Sequence, residues 1–208
     1  MKLFGYFRSS AAYRVRIALN LKGIKYEHIG VNLIKSEQRS EANLARNGQG
    51  LVPTLQTPKG QFITQSTAIL EWLEEVYPAN ALYPEDAMQR AEVRALANTI
   101  ACDVHPLNNL RVLNYLTENL NVESDAKTTW YQHWIDLGFT SIEKSLGQNG
   151  FSFGDDVTMA DVYLIPQVYN ALRFKQPMAK FDKIMAVYDK CNGIQAFKDA
   201  APDVQPDA

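Results

Sequence analysis

Leu3-Phe4-Gly5-Tyr6-Phe7-Arg8-Ser9-Ser10-Ala11-Ala12-Tyr13-Arg14-Val15-Arg16 is the stretch whose reading decides the fold. The apolar run Leu3 to Phe7 predicts a short strand. Residues 10–22 predict a helix with few polar interruptions, closed by Gly23 in the C′ position after Lys22. A helix N-terminus exposes free N–H groups and a partial positive charge, so the turn at Arg8-Ser9-Ser10 favours an anion. The turn has hydroxyls to donate hydrogen bonds and no cysteine of its own, so a thiolate held there would come from another molecule. The ordinary alternative is that one of the serines only caps the helix, as serine commonly does.

Outward from this stretch, strand and helix signals alternate. Tyr26 to Val31 predicts a second strand, and 36–46 a polar helix. Val52-Pro53-Thr54-Leu55 and Gln61-Phe62-Ile63-Thr64 predict a hairpin around Pro58-Lys59-Gly60. Ile69, Trp72, Leu73 and Val76 then fall at i, i+3, i+4, i+7 of a helix. The order β-α-β-α-β-β-α predicts an α/β layer with a mixed sheet over 1–80. After Tyr77-Pro78 the pattern turns helical, which places an all-α domain at 85–208. Its elements are a run over 85–119 kinked at Pro106, a helix over 125–146, a loop from Gly147 to Gly154, a helix from the capping box Thr158-Met159-Ala160-Asp161 to about Phe174, and a last helix at 181–191.

Composition narrows the function classes. The chain has 208 residues, 46% hydrophobic, with 21 basic and 23 acidic side chains. That balance argues against a general nucleic-acid or membrane surface. Cys102 and Cys191 have no CxxC or Cys/His spacing, which argues against a disulfide framework or a structural zinc and suits a reducing cytosol. No apolar run reaches membrane-spanning length, and the expectation is a cytoplasmic protein.

Gln65-Ser66 offers a second anion-seeking helix start, although the same pair reads equally as a plain cap. Val52-Pro53 precedes a short strand; with a cis bond the Val52 backbone would face outward and could pair with an extended peptide. A carboxylate at one end, a thiol at the other and an extended backbone between them describe a glutathione-like tripeptide.

Ser9-Ser10-x-x-x-Arg14-Val15-Arg16-Ile17-Ala18-Leu19, Val52-Pro53-Thr54-Leu55, Gln65-Ser66, and Gly154-Asp155-x-Val157-Thr158-Met159-Ala160-Asp161 occur in this order along the chain. Together they resemble the zeta-class glutathione transferases, the class that includes maleylacetoacetate and maleylpyruvate isomerases. The resemblance runs nearly end to end, through Pro166-Gln167-Val168 and Arg173-Phe174. It implies a thioredoxin-like N-terminal domain, an all-α C-terminal domain and a homodimer. It implies glutathione as the cofactor, with Ser9 and Ser10 at its sulfur, Gln38, Val52 and Pro53 along the tripeptide, and Gln65 and Ser66 on the γ-glutamyl carboxylate. His105, Asn109 and Arg111 would reach down from one long helix, their i, i+4, i+6 spacing placing them on or beside one face. The class usually carries cysteine after the two serines, and Ala11 stands here instead.

Arg8, Arg111 and Arg173 are the candidates for binding a small dicarboxylate substrate, because guanidinium groups pair with carboxylates through directed hydrogen bonds. Each has a bland alternative as a surface cation, and His105 beside Pro106 has one as a partner for a carbonyl freed by the proline. The implied reaction is cis–trans isomerisation of maleylacetoacetate or maleylpyruvate, with glutathione regenerated. Arg8 and Ser9 or Ser10 would carry the chemistry. The rival is conjugation or dehalogenation of small haloacids by the same thiol.

Overall fold

The computed structural model describes residues 1–148 and 150–208. They form two compact units, Met1–Ala81 together with Asn192–Ala208, and Leu82–Cys191.

In the first unit, β1 (Lys2–Gly5), β2 (Glu27–Gly30), β3 (Thr54–Gln56) and β4 (Phe62–Thr64) form one sheet in the order β2-β1-β3-β4. β1 and β2 run parallel, with Leu3 opposite His28, and α1 (Ser10–Leu21) makes the crossover between them. The other two pairings are antiparallel, with Leu3 opposite Leu55 and Leu55 opposite Ile63. The predicted hairpin is therefore present, and the sheet is mixed as expected. α1 is buried from Ser10 to Leu19, which explains why its sequence has so few polar positions. It ends as predicted: Gly23 takes φ 67°, its N–H reaches the Asn20 carbonyl, and Ile24 N–H reaches Leu19. That pair of bonds is a Schellman closure. The polar stretch at 36–46 forms a 3₁₀ turn (Glu37–Arg39) and α2 (Glu41–Arg46), the latter capped by Ser40. α3 (Ser66–Val76) buries Ile69, Leu70 and Leu73. Each such aliphatic side chain removed from water contributes roughly 1.5–3 kcal/mol.

The sequence reading assigns 85–208 to the helical domain, whereas the last seventeen residues group with the sheet unit. Their helix, α9 (Gln195–Ala200), lies on α1, where Asn20 Nδ2 donates to the Ala196 carbonyl and Arg16 Nε to that of Ala200. Six residues with one large apolar side chain, Phe197, are too short a run for periodicity to reveal.

In the second unit, α4 (Ala87–Asn98) starts on the Asp86 carboxylate, which accepts from Met88 and Gln89 N–H. The predicted continuous run over 85–119 breaks earlier than Pro106. A π-helical segment occupies Thr99–Val104, a 3₁₀ turn Pro106–Asn108, and α5 starts afresh at Leu110–Glu118. Proline cannot donate to the helical ladder, and its ring crowds the carbonyl four residues back. The wider π register accommodates it, and His105 N–H accordingly bonds the Ile100 carbonyl five residues back. α6 (Ser124–Ser145), α7 (Met159–Arg173) and α8 (Asp182–Asn192) follow near their predicted places. The predicted loop from Gly147 to Gly154 contains Asn149, which lies outside the described residues. The capping box is formed: Asp161 accepts from Thr158 N–H at 2.7 Å and from Ser152 N–H at 2.8 Å. Burial nonetheless raises the Asp161 pKa.

Candidate functional site

The turn between β1 and α1 is closed by a bond from Ser9 N–H to the Tyr6 carbonyl at 2.9 Å. Ser9 is the N-cap of α1, its Oγ accepting from Ala12 N–H at 3.2 Å. Cap and binding site are thus compatible readings, because a capping hydroxyl spends a lone pair and keeps its proton to donate. Ser9 is half-buried at the helix mouth, while Ser10 is buried as the first residue of the helix. Between the two, Ser9 is the better placed to meet an incoming sulfur. Arg8 stands beside it, Nη2 donating to the Tyr6 hydroxyl at 3.1 Å and the guanidinium lying 4.7 Å from the Phe7 ring centroid. Its buried Nε has no hydrogen-bond partner among the described residues.

Ser66 opens α3 and is buried; its Oγ accepts from Arg14 Nη1 at 3.3 Å, so its proton too remains for a ligand. Gln65, just before it, holds φ 69° and ψ 119°. A non-glycine residue there stores on the order of 1–3 kcal/mol, and such residues cluster at ligand sites. The exposed Gln65 side chain is directed by Gln49, whose Oε1 accepts from Gln65 Nε2 at 2.6 Å. The Val52–Pro53 bond is cis, and Val52 precedes the strand pairing, which starts at Thr54. Gln38 is half-buried, and its Oε1 has no hydrogen-bond partner among the described residues.

A γ-glutamyl tripeptide fits this donor and acceptor set. Two helix N-termini carry hydroxyls that would donate to its thiolate and its carboxylate. Val52 offers backbone outside the ladder, and the orphaned Gln38 oxygen would accept from an amide.

In the helical unit the expected shared face of His105, Asn109 and Arg111 does not form. Asn109 has extended backbone (φ −67°, ψ 146°) and caps α5, its Oδ1 accepting from Arg111 N–H at 3.1 Å. The chain leaves helical geometry between His105 and Asn109 because of Pro106, so helical spacing does not apply across them. His105 closes the π segment and is half-buried. Arg111 is exposed in the first turn of α5. Arg173 is exposed in the last turn of α7, 4.6 Å from the Phe174 centroid, and Phe174 itself stacks on Tyr131. Burial raises the Tyr131 pKa, which keeps that phenol neutral.

Residues 3–81 match the glutathione S-transferase N-terminal domain family. A maleylacetoacetate isomerase of Pseudomonas aeruginosa is 44% identical, over 100% of this chain and 98% of its own. A holo maleylpyruvate isomerase, described as a bacterial zeta-class glutathione transferase, superposes with a TM-score of 0.97 at 46% identity over the whole of both chains. The chain belongs to the zeta-class glutathione transferases. A third relative, maleylacetoacetate isomerase of Methylobacterium extorquens AM1, was solved with malonate and glutathione bound; it is 36% identical with a TM-score of 0.95, over 100% of this chain and 99% of that one.

Within this zeta-class chain, Ala11 replaces the usual cysteine and is buried in α1, so among the residues of the turn no thiol competes with one brought in. Arg14 and Gln49 join the candidate residues only in the folded chain. A signal for Arg14 was present: a cation in the middle of a largely apolar helix, like Arg16 two residues on, has to reach a polar partner. Gln49 carried none, since its pairing with Gln65 joins two loops.

Proposed function

We propose that this zeta-class transferase is a glutathione-dependent isomerase. It converts maleylacetoacetate to fumarylacetoacetate, or maleylpyruvate to fumarylpyruvate, in aromatic catabolism. The observation that carries the reading is Ser9: a helix-capping hydroxyl with its proton still available, at a helix mouth free of acidic side chains in the first turn and flanked by Arg8.

Glutathione, when bound, supplies a thiolate nucleophile that adds reversibly to an electrophilic double bond. Ser9 Oγ–H donates to the sulfur and, with the N-terminus of α1, favours its ionised form over a free thiol, whose pKa is near ~8.5. Ser66 donates to the γ-glutamyl carboxylate while Arg14 fills the acceptor side of the same hydroxyl. Gln65 is held by Gln49 toward the same end of the tripeptide. Val52 pairs with the tripeptide backbone, and Gln38 Oε1 accepts from an amide. His105 and the free amide nitrogen of Asn109 are further ligand contacts. Arg8 stabilises negative charge that develops on the substrate, a contribution of about 3 kcal/mol for a well-placed donor. Arg111 and Arg173 bind substrate carboxylates. The protein acts in the cytoplasm as a homodimer. Among the described residues no helix is long and apolar enough to cross a membrane.

The test is turnover of maleylacetoacetate and maleylpyruvate with and without glutathione, with product analysis. The expected product is the trans isomer with glutathione recovered. Turnover independent of glutathione, or a stable thioether as sole product, refutes the reading.

A further inference from the structure

The last residues of the chain grip the turn that carries Ser9. Both backbone polar groups of Phe7 are held by charged side chains: its N–H donates to Asp207 Oδ2 at 3.0 Å, and its carbonyl accepts from Arg16 Nη2 at 3.0 Å. The other Asp207 oxygen lies 2.8 Å from His28 Nε2 on β2. Asp207 is packed so closely over β2 that a Cβ on Gly30 would come within 2.9 Å of its own Cβ. Arg16 completes the clamp from α1, its Nε bonded to the Ala200 carbonyl of the same C-terminal segment. Phe7 is a central residue of the turn whose closing bond runs from Ser9 N–H to the Tyr6 carbonyl, so fixing Phe7 fixes the direction in which Ser9 leaves.

We propose that Asp207, packed against His28, is a positioning residue for thiol activation, fixing the β1–α1 turn so that the Ser9 hydroxyl meets the glutathione sulfur. The inference rests on the reading of Ser9 given above. An ordinary surface tail would not place a mostly buried carboxylate between a β2 histidine and a backbone N–H two residues before the N-cap. Burial is the largest influence on His28 and lowers its pKa; Asp207 opposes this and Arg16 reinforces it, so the imidazole stays largely neutral beside the carboxylate at neutral pH. Displacing a catalytic donor by about 1 Å can cost up to about 100-fold in rate.

The experiment compares full-length Asp207→Ala, Asp207→Asn, Ser9→Ala and the Ser9→Ala/Asp207→Ala double variant. Amide hydrogen exchange at Phe7 and Ser9 in the ligand-free protein reads the turn directly, and about tenfold faster exchange in Asp207→Ala is expected. Ultraviolet titration of bound glutathione reads the thiolate, and its pKa should rise by about one unit in Asp207→Ala. kcat should fall about tenfold, with glutathione KM changed less than about twofold. Asp207→Asn keeps an acceptor for Phe7 N–H and should recover most of both effects. In the Ser9→Ala background, Asp207→Ala should add less than about twofold, because the two act through one group. Unchanged exchange at Phe7 and Ser9 overturns the clamp whatever Ser9 does. A Ser9→Ala variant that shifts the thiol titration while Asp207→Ala does not overturns the inference alone. A Ser9→Ala variant with an unshifted titration overturns the Ser9 reading on which it rests.

Discussion

Removing the Ser9 hydroxyl should have two separable effects, one on the helix and one on the sulfur. Ser9→Ala deletes the cap on Ala12 N–H, a bond of 3.2 Å. Loss of such a cap costs about 1 kcal/mol, a fall in Tm of about 2–4 °C for a chain of this size. It also deletes the donor to the thiolate. A hydrogen bond to a charged group is worth about 1.5–3 kcal/mol, which is about one to two units in the bound thiol pKa. At neutral pH that lowers kcat by about 10- to 100-fold. Ser9→Asp separates the two terms. Its carboxylate caps as well as serine does, so Tm should stay within about 1 °C of wild type. It has no proton to donate and repels a thiolate, so kcat should fall at least as far as in Ser9→Ala. Ser9→Thr keeps both functions and should retain most activity. Differential scanning calorimetry, titration of bound glutathione and steady-state kinetics on the three variants provide the measurements. An active Ser9→Asp enzyme would refute the reasoning outright, because it would show that Ser9 serves only the helix.

Lys22→Met should destabilise without touching the site: Lys22 Nζ, almost wholly buried, meets Glu74 Oε1 at 2.7 Å and the carbonyls of Tyr77, Ala79 and Asn80. Stranding one member of a buried pair costs about 3–5 kcal/mol, or about 10 °C in Tm; a shift under about 3 °C would refute it, with urea unfolding as the check. His28 supplies a pH dependence. Its folded pKa is lowered, chiefly by burial, so the unfolded chain binds more protons around the unfolded value of about 6.5. Stability from this group is therefore present above about 6.5 and is lost as pH falls through the folded pKa. His28→Gln should flatten that acid limb in unfolding experiments, and an unchanged slope contradicts it. Arg111→Ala and Arg173→Ala should each raise KM for the dicarboxylate substrate about tenfold while leaving glutathione KM within about twofold. A rise confined to glutathione KM would reverse their assignment.

What could be read from the sequence tracks how local the cause is. α1, its Gly23 closure, the hairpin around Pro58-Lys59-Gly60 and the Thr158–Asp161 capping box each depend on residues within a few positions of one another, and each forms where expected. The misreadings have longer reach. Pro106 could be foreseen to disturb a helix, yet the disturbance begins at Thr99, because a whole π segment changes register to accommodate it. That change removes the helical spacing that would set His105 and Asn109 side by side. α9 is too short to announce itself, and its attachment to α1 depends on Arg16 and Asn20, roughly 180 residues earlier.

The arginines show why residue type alone could not assign the site. Five of them lie in or beside segments singled out for chemistry, and burial sorts them into different trades. Arg16 is fully buried and bonds two backbone carbonyls, those of Phe7 and Ala200. Arg14 is equally buried and reaches the Ser66 hydroxyl. Neither can extend a guanidinium to a substrate: Arg16 holds the serine turn from behind and Arg14 the start of α3, the two ends of the tripeptide site proposed above. Arg111 and Arg173 lie at the surface of the helical unit, where an exposed guanidinium can take a carboxylate. Arg8 is half-buried, tied by Nη2 to Tyr6, and among the described residues its Nε has no hydrogen-bond partner. An arginine so placed is part of the scaffold, and in the proposed reaction it serves the chemistry as well. Replacing it with lysine would keep the charge but lose the planar contact with Phe7 and the bond to Tyr6, and so loosen the turn that Asp207 and Arg16 hold from behind.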